Sequence, residues 1–330
     1  MSPHSRVLAR APALEISTRE FADDVRYYLS LKPRQLPSRY LYDALGSALF
    51  EAICRLPWYG LTRGETTLLT DHAEEIFAAS APVARIIELG SGGGDKLITL
   101  LAGAGDRRGA VDLHLIDISK PALDTAARAL STFDDVRVIT HQAPYEVGLE
   151  DVRNEPPAAG RALILFLGSN IGNFDPPGAG ELLRQIRAAM ASGDGLLLGA
   201  DLVKPERDLL LAYDDPLGVT SAFNRNLLAR LNRELGADID LSAFAHRALW
   251  NPDAARIEMH LVCTRSTRVR VPAAQVDFVM DAGETIWTES SYKYRPDDLI
   301  AMLETAGFRR QLQFVDPESQ FALTLVEVAD

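Results

Sequence analysis

Glu88-Leu89-Gly90-Ser91-Gly92-Gly93-Gly94-Asp95-Lys96 is a glycine-rich turn between a buried apolar run, Ala84 to Leu89, and a helical stretch, Asp95 to Ala104. A strand, a tight glycine turn and a helix form the unit that places a ligand at the carboxyl end of a parallel sheet. Outward from that turn the pattern repeats. Val111 to Ile116, Val136 to Thr140, Ala162 to Leu167 and Gly195 to Asp201 read as strands, with helices at Lys120 to Ser131 and Ala179 to Ser192. The strands are continuous apolar runs, as expected of a parallel sheet covered on both faces by its crossover helices. The fold class is therefore α/β, with a doubly wound Rossmann-like core.

Upstream, Thr62 to Ala78 has helical periodicity behind a threonine cap, and Phe21 to Leu56 is helical but interrupted by Pro33 and Pro37. Residues 1 to about 20 read as a loosely held lead-in. Beyond Lys204 the strand–helix alternation breaks: a polar helix, Thr220 to Leu235, precedes two strands, Ile257 to Thr264 and Val269 to Phe278. A helix from Arg295 to Ala306, stopped by Gly307, then leads to strands at Arg309 to Val315 and Phe321 to Val328. The expected division is a core of residues 62–203 and 286–330. Residues 1–61 and 204–285 would form a second, smaller α+β domain, the N-terminal helices joining an insertion as a lid.

Composition excludes several classes of partner. The 330 residues carry 34 Lys+Arg against 46 Asp+Glu, a formal net charge of −12. Nucleic acid is held by clustered basic residues; here they are scattered, as at Arg107 and Arg108 or Arg309 and Arg310. Acidic membrane surfaces are disfavoured for the same reason. Met1 to Arg6 lacks the apolar stretch of a secretory signal, no uncharged run approaches the ~18 residues of a membrane span, and Cys54 and Cys263 read as buried thiols of a reducing compartment. A cytoplasmic protein is expected. The six histidines show no metal-ligand spacing and no nucleophile elbow is present, so neither metal nor covalent catalysis is expected.

The glycine turn also carries ligand information. A dinucleotide fingerprint wants a third glycine where Asp95 stands, and its helix start receives a pyrophosphate. A carboxylate there repels phosphate and suits a phosphate-free ligand such as S-adenosylmethionine. Asp117 ends the next strand, where an acidic side chain accepts from both ribose hydroxyls; capping of the helix near Ser119 is its ordinary alternative. If Thr288 to Tyr292 is extended, Glu289 and Ser291 share one face and Ser290 takes the other. A carboxylate beside a rotatable hydroxyl complements a neutral imidazole, which has one N–H and one acceptor nitrogen.

Several separated motifs, taken in order, resemble the S-adenosylmethionine-dependent histidine Nα-methyltransferases of ergothioneine biosynthesis. They are Tyr42-Asp43-Ala44-Leu45-Gly46-Ser47, Leu56-Pro57-Trp58-Tyr59, Glu88 to Lys96, Leu167-Gly168-Ser169-Asn170-Ile171-Gly172-Asn173, Tyr213-Asp214-Asp215, Phe223-Asn224-Arg225-Asn226, Arg256-Ile257-Glu258-Met259 and Thr288-Glu289-Ser290-Ser291-Tyr292-Lys293. The resemblance implies a class I methyltransferase core in which Gly90, Lys96, Asp117, Pro144 and Tyr145 bind S-adenosyl-L-methionine. It places Asn173 and Tyr213 on the substrate's amino and carboxylate groups, with Gly168 beside them, and Tyr42 on the amine side. Tyr59, Met259, Glu289, Ser290 and Ser291 would complete the substrate site. Tyr42, Asn173 and Tyr213 are the catalytic candidates. The implied partner is a free amino acid, L-histidine, methylated three times by an enzyme acting as a monomer.

The chain departs from the family pattern at Trp58-Tyr59-Gly60, where an acidic residue and two tyrosines are usual, and at Ala143-Pro144, where Gly-Asp is usual. The same chemistry on tryptophan or tyrosine therefore stays open, although Glu289 and Ser291 argue against it. A nicotinamide-dependent oxidoreductase and a non-catalytic donor-binding protein are more distant alternatives.

Overall fold

The structure, a computed structural model, describes residues 8–10, 17–105, 109–156 and 159–328. Most of the lead-in, and the pair Arg107 and Arg108, lie outside them. In chain order the elements are β1 (Leu8–Arg10), α1 (Thr18–Ser30), β2 (Arg34–Gln35), α2 (Ala44–Cys54), α3 (Gly60–Ser80), β3 (Val83–Leu89), α4 (Asp95–Ala104), β4 (Val111–Asp117), α5 (Lys120–Leu130), β5 (Val136–Gln142), α6 (Tyr145–Arg153) and β6 (Arg161–Phe166). There follow α7 (Pro176–Ala188), β7 (Gly195–Asp201), α8 (Glu206–Tyr213), α9 (Val219–Leu235), β8 (Phe244–Asn251), β9 (Arg256–Cys263), β10 (Thr267–Val271), β11 (Val276–Met280), β12 (Thr285–Tyr292), α10 (Pro296–Thr305), β13 (Phe308–Asp316) and β14 (Phe321–Val328).

The chain divides into two compact units. The core unit comprises the described parts of Met1–Leu14, Leu61–Val203 and Tyr294–Asp330. Its eight-stranded sheet has the order β1-β5-β4-β3-β6-β7-β14-β13. The strands β5, β4, β3, β6 and β7 are parallel, and the order reverses between β3 and β6, the switch point where doubly wound sheets bind ligands. Strand β14 enters antiparallel between β7 and β13, so the far edge is a hairpin instead of another crossover. At the other edge Leu8–Arg10 pairs in parallel with β5, so this part of the expected loose lead-in is an edge strand. The centre of the sheet is apolar: all of β7 is buried, and Leu89, Ile116, Phe166 and Leu198 pack with Leu182 and Ile186 of α7.

The second unit is Glu15–Gly60 with Lys204–Lys293. Its four-stranded sheet has the order β2-β12-β9-β8, and β10 and β11 form a separate hairpin. Its boundary falls eight residues beyond the expected 285/286, because β12 pairs with β9 and β2 and not with the large sheet. The expected single strand Val269 to Phe278 is two: Pro272–Ala274 form a 3-10 turn and Gln275 adopts φ 54, reversing the chain.

Candidate active site

In the core unit the turn after β3 is built around close backbone approach. Gly90, at φ 79, donates its N–H to the Ile116 carbonyl at 2.8 Å. A Cβ on Gly90 would lie 2.8 Å from Asn170 Nδ2 and 2.9 Å from Tyr145 Oη. Gly92 donates to Asp117 Oδ2 at 3.2 Å and Ser119 donates to Asp117 Oδ1 at 2.8 Å. Ser119, not Asp117, is the N-cap of α5, so the Asp117 carboxylate is fixed at the end of β4 by two backbone donors. Burial raises Asp117 above the usual carboxylate range, against the pull of those N–H groups.

A half-buried lysine pairs with a fully buried carboxylate next to the turn. Lys96 Nζ lies 2.5 Å from the fully buried Glu65, whose other oxygen accepts from the Gly168 N–H at 2.7 Å. Gly168, at φ 74, leaves no room for a side chain, since a Cβ would be 2.7 Å from Lys96 Nζ. Glu88 is pushed up to about 8 by burial, with Lys96 opposing and Glu65 and Asp117 reinforcing the shift. Three carboxylates and one ammonium around a glycine turn, with Asp95 in the first turn of α4, give a site unsuited to phosphate and compatible with a cationic nucleoside ligand. Pro144 caps α6, and the ring of Tyr145, its first residue, packs edge-on against Phe166 at 5.6 Å. Burial raises the Tyr145 phenol. Asn173 ends a 3-10 turn, Asn170–Asn173, and is exposed; the turn follows Ser169 at φ 57, whose hydroxyl accepts from the Asp201 N–H at 3.0 Å.

In the second unit the aromatic candidates meet. Tyr42 lies 5.4 Å from Phe223 and 5.5 Å from Phe50, Phe50 lies 6.4 Å from Tyr59, and Tyr59 lies 6.1 Å from Tyr213, centroid to centroid. Tyr213 Oη and Ser291 Oγ are 2.8 Å apart, and Lys293 Nζ donates to Tyr213 Oη at 2.8 Å and to Ser291 Oγ at 3.0 Å. Lys293 is only 3% exposed. Glu289 precedes Ser291 on the same face of β12; desolvation pushes its carboxyl up to about 7, opposed by Lys293. Met259 is buried directly across the ladder from Glu289. Ser290 pairs with Glu258 on the opposite face, so its side chain is not grouped with these residues.

Sequence reading alone missed Lys293 as a site residue and missed the polar support behind it. The signal for Lys293 was present: it continues the two-residue period of Glu289 and Ser291. The support is non-local. Asn224, fully buried, accepts from the Thr288 hydroxyl at 2.7 Å and donates to the His260 carbonyl at 3.2 Å and to His246 Nδ1 at 2.9 Å. His246 Nε2 in turn donates to the Tyr213 carbonyl at 2.8 Å. Two other histidines, His114 and His141, lie 3.0 Å apart in the core unit, with Glu155 at 3.7 Å from the far nitrogen of His114. One ligand atom from each of the three lies within 4.8 Å of the others, a buried grouping of metal-ligand type that the histidine spacing in the sequence did not lead one to expect.

A phosphate-averse glycine turn at the switch point, a hairpin-edged sheet and an aromatic-lined polar wall define the class of S-adenosylmethionine-dependent methyltransferases acting on small molecules. The chain belongs to the family described as histidine-specific, S-adenosylmethionine-dependent methyltransferases, which matches residues 21–328, and it is an amino-acid N-methyltransferase. It is 40% identical over 319 residues to histidine N-alpha-methyltransferase of Mycolicibacterium smegmatis, covering 96% of this chain and 98% of that protein. A second relative, histidine N-alpha-methyltransferase of Mycobacterium tuberculosis, is 40% identical over 303 residues, 92% of this chain and 93% of that protein. Ergothioneine biosynthesis protein 1 of Neurospora crassa is 28% identical over 281 residues, 84% of this chain but 31% of the fungal protein. Family membership decides against the oxidoreductase and the non-catalytic alternatives.

Proposed function

We propose that the enzyme methylates the α-amino nitrogen of L-histidine three times in succession, giving the trimethylated betaine hercynine for ergothioneine biosynthesis. The observation that carries histidine over other amino acids is the wall of β12, a carboxylate at Glu289 beside the hydroxyl of Ser291. A neutral imidazole has one N–H and one lone pair, and this wall offers an acceptor and a hydroxyl. An apolar side chain or an indole, which has an N–H but no acceptor nitrogen, does not present that two-ended pattern. The relatives named for histidine support the same assignment.

On this assignment Gly90, Lys96, Asp117, Pro144 and Tyr145 hold the donor. When bound, the donor supplies a methyl group on positively charged sulfur, already activated for displacement. The chain's residues therefore have to hold the amine neutral, aligned and out of bulk water. Asn173 is assigned to the amine through its amide oxygen, Gly168 allows the backbone to approach, and Tyr213 takes the carboxylate. Tyr42 stands on the amine side, where its hydroxyl accepts or relays the proton the amine loses. The faces of Tyr42, Tyr59 and Tyr213 favour the quaternary nitrogen of the product by about 0.5–2 kcal/mol each. Met259 backs Glu289 from across the ladder, and Ser290 contributes through its backbone alone. The enzyme works as a monomer in the cytoplasm, where both small molecules are available.

The test is mass spectrometry of purified protein with S-adenosylmethionine and each of the twenty amino acids in separate reactions. Trimethylated product from histidine alone is expected. Methylation of tryptophan or tyrosine instead would show that Trp58-Tyr59-Gly60 has reshaped the site, and no product from any amino acid would overturn the proposal.

A further inference from the structure

Glu65, on α3 of the core unit, is fully buried and reaches both lips of the switch-point crevice. Its Oε2 lies 2.5 Å from Nζ of Lys96, which stands in the first turn of α4 behind the glycine turn. Its Oε1 accepts at 2.7 Å from the N–H of Gly168, in the turn that follows β6. The two partners also approach each other: a Cβ on Gly168 would stand 2.7 Å from Lys96 Nζ, so the ammonium lies against the Gly168 backbone. Strand β7 makes room for the carboxylate, because Gly199 is buried there and a Cβ on it would overlap Glu65 Oε1.

Taking a carboxylate out of water costs several kcal/mol, and an apolar residue of similar volume often serves stability as well as a buried pair does. Fold stability alone is therefore a weak reason for a glutamate at this position. An ammonium on a four-carbon stem samples many positions unless it is held. Glu65 holds it beside a backbone N–H of the opposite lip, so the β3–α4 turn and the turn after β6 are tied through one side chain. In a doubly wound sheet the ligand sits between these two turns.

We propose that Glu65 is a positioning residue for methyl transfer: through Oε2 it orients Lys96 toward the methyl donor, and through Oε1 it fixes the Gly168 turn on the side of the acceptor amine, so that one carboxylate sets the spacing of the two reactants. The proposal rests on the assignment of Lys96 to the donor and of Gly168 to the amino-acid side. Glu65 itself touches neither reactant. Alignment is what it supplies, and a misplacement of about 1 Å costs about 100-fold in rate.

The experiment reads donor Kd by calorimetry with S-adenosylmethionine alone, and kcat and KM by methylation of histidine at saturating donor. Glu65→Gln keeps an oxygen for the Gly168 N–H and removes the charge beside Lys96. Its donor Kd should rise about tenfold or more, with the histidine KM within about threefold of wild type. Gly199→Ala keeps both charges and pushes Oε1 off the Gly168 N–H. It should lower kcat about tenfold with donor Kd within about threefold. A glutamate that only supported the fold would move the two readouts together in both variants. In the double variant Glu65→Gln/Lys96→Met the donor Kd should stay within about twofold of that of Lys96→Met, because the carboxylate acts on the donor through the lysine.

A Glu65→Gln enzyme with the wild-type donor Kd, a double variant about tenfold weaker than Lys96→Met, or a Gly199→Ala enzyme with the wild-type kcat would overturn the proposal. If Glu65→Gln fails to fold, the double variant and Gly199→Ala decide. An unchanged donor Kd in Lys96→Met would instead overturn the assignment of Lys96 to the donor, and absence of turnover on histidine by the wild type would overturn the substrate assignment, which separates those failures from this one.

Discussion

Asn224→Leu probes whether the second unit's polar network positions the substrate wall. The side chain of Asn224 is fully buried and makes three contacts: from Thr288 Oγ1 at 2.7 Å, to His246 Nδ1 at 2.9 Å and to the His260 carbonyl at 3.2 Å. Leucine fills nearly the same volume, so no cavity term arises. Thr288 keeps a partner, since its hydroxyl also reaches the Met259 carbonyl at 3.0 Å. The His260 carbonyl and His246 Nδ1 are left as buried acceptors without this donor. At about 1–3 kcal/mol for each, the substitution should cost about 2–6 kcal/mol of stability, read by urea unfolding. The functional effect runs through His246, whose Nδ1 accepts from Asn224 so that Nε2 carries the proton given to the Tyr213 carbonyl. Without Asn224 that tautomer is no longer fixed, and the KM for the amino acid should rise about tenfold while donor affinity, measured by calorimetry, stays within about twofold. Asn224→Asp is the discriminating control, because a carboxylate draws a proton onto His246 Nδ1 and leaves Nε2–H on Tyr213. It should keep a lower KM than Asn224→Leu, most clearly at acidic pH. A Leu variant within about 0.5 kcal/mol of wild type, or one no worse than Asp in KM, would refute the reasoning.

Gly90→Ala should cost about 1–2 kcal/mol for the left-handed backbone and weaken donor binding about tenfold or more by displacing Asn170 and Tyr145; unchanged affinity in calorimetry would show that close approach is not needed there. Glu289 holds its proton up to about 7, above its ordinary 4.5, so the native protein is relatively stabilised below 4.5 and loses that advantage as pH rises through 7. Glu289→Gln should therefore gain about 1 kcal/mol or more of stability at pH 8 while losing histidine affinity, and a loss of stability at that pH would contradict the burial argument. His114 is lowered to about 3 by burial and by His141, so the native state stays neutral while the unfolded chain takes a proton below 6.5. Stability should fall by up to about 1.4 kcal/mol per pH unit between those values, and His114→Gln should flatten this acid limb in chemical denaturation.

The core was legible because a parallel strand covered on both faces is a continuous apolar run. Leu163 to Phe166 and Leu196 to Leu198 are buried without interruption, and their ends were read within a residue or so. Strand β8 was not read, because Phe244–Asn251 is only half covered and carries His246, Arg247 and Asn251 in an uneven burial pattern. The hairpin of β10 and β11 was merged because apolar residues continue through Pro272–Ala274 and the reversal rests on a positive φ at Gln275, a residue type that does not announce it. Helix α6 went unread since Pro144 opens it without a side-chain cap. Of the site, the glycine turn and the Glu289 face were local patterns. The Asn224 and His246 contacts join residues 22 apart in sequence and leave no periodic trace.

One feature of β12 explains both what alternation captured and where it fails. Ile286 is buried against the inner face and Glu289 is read on that same face, yet they are an odd number of residues apart. Strict alternation would put Ile286 with Thr288 and Ser290, opposite the Glu289 side. The ladder resolves the conflict with a bulge: Trp287 pairs with His260, Glu289 pairs with Met259, and Thr288 is the extra residue between them. Trp287, before the bulge, takes the outer face by ordinary alternation, where it stacks on His260 at 6.0 Å and Arg256 lies over it at 4.4 Å. Thr288, the inserted residue, is the one whose hydroxyl is held by Asn224. A bulge re-aims the side chains that follow it. The polar wall of Glu289, Ser291 and Lys293 therefore shares the apolar inner face because one extra residue shifts the register, and a buried asparagine on α9 holds that residue in place.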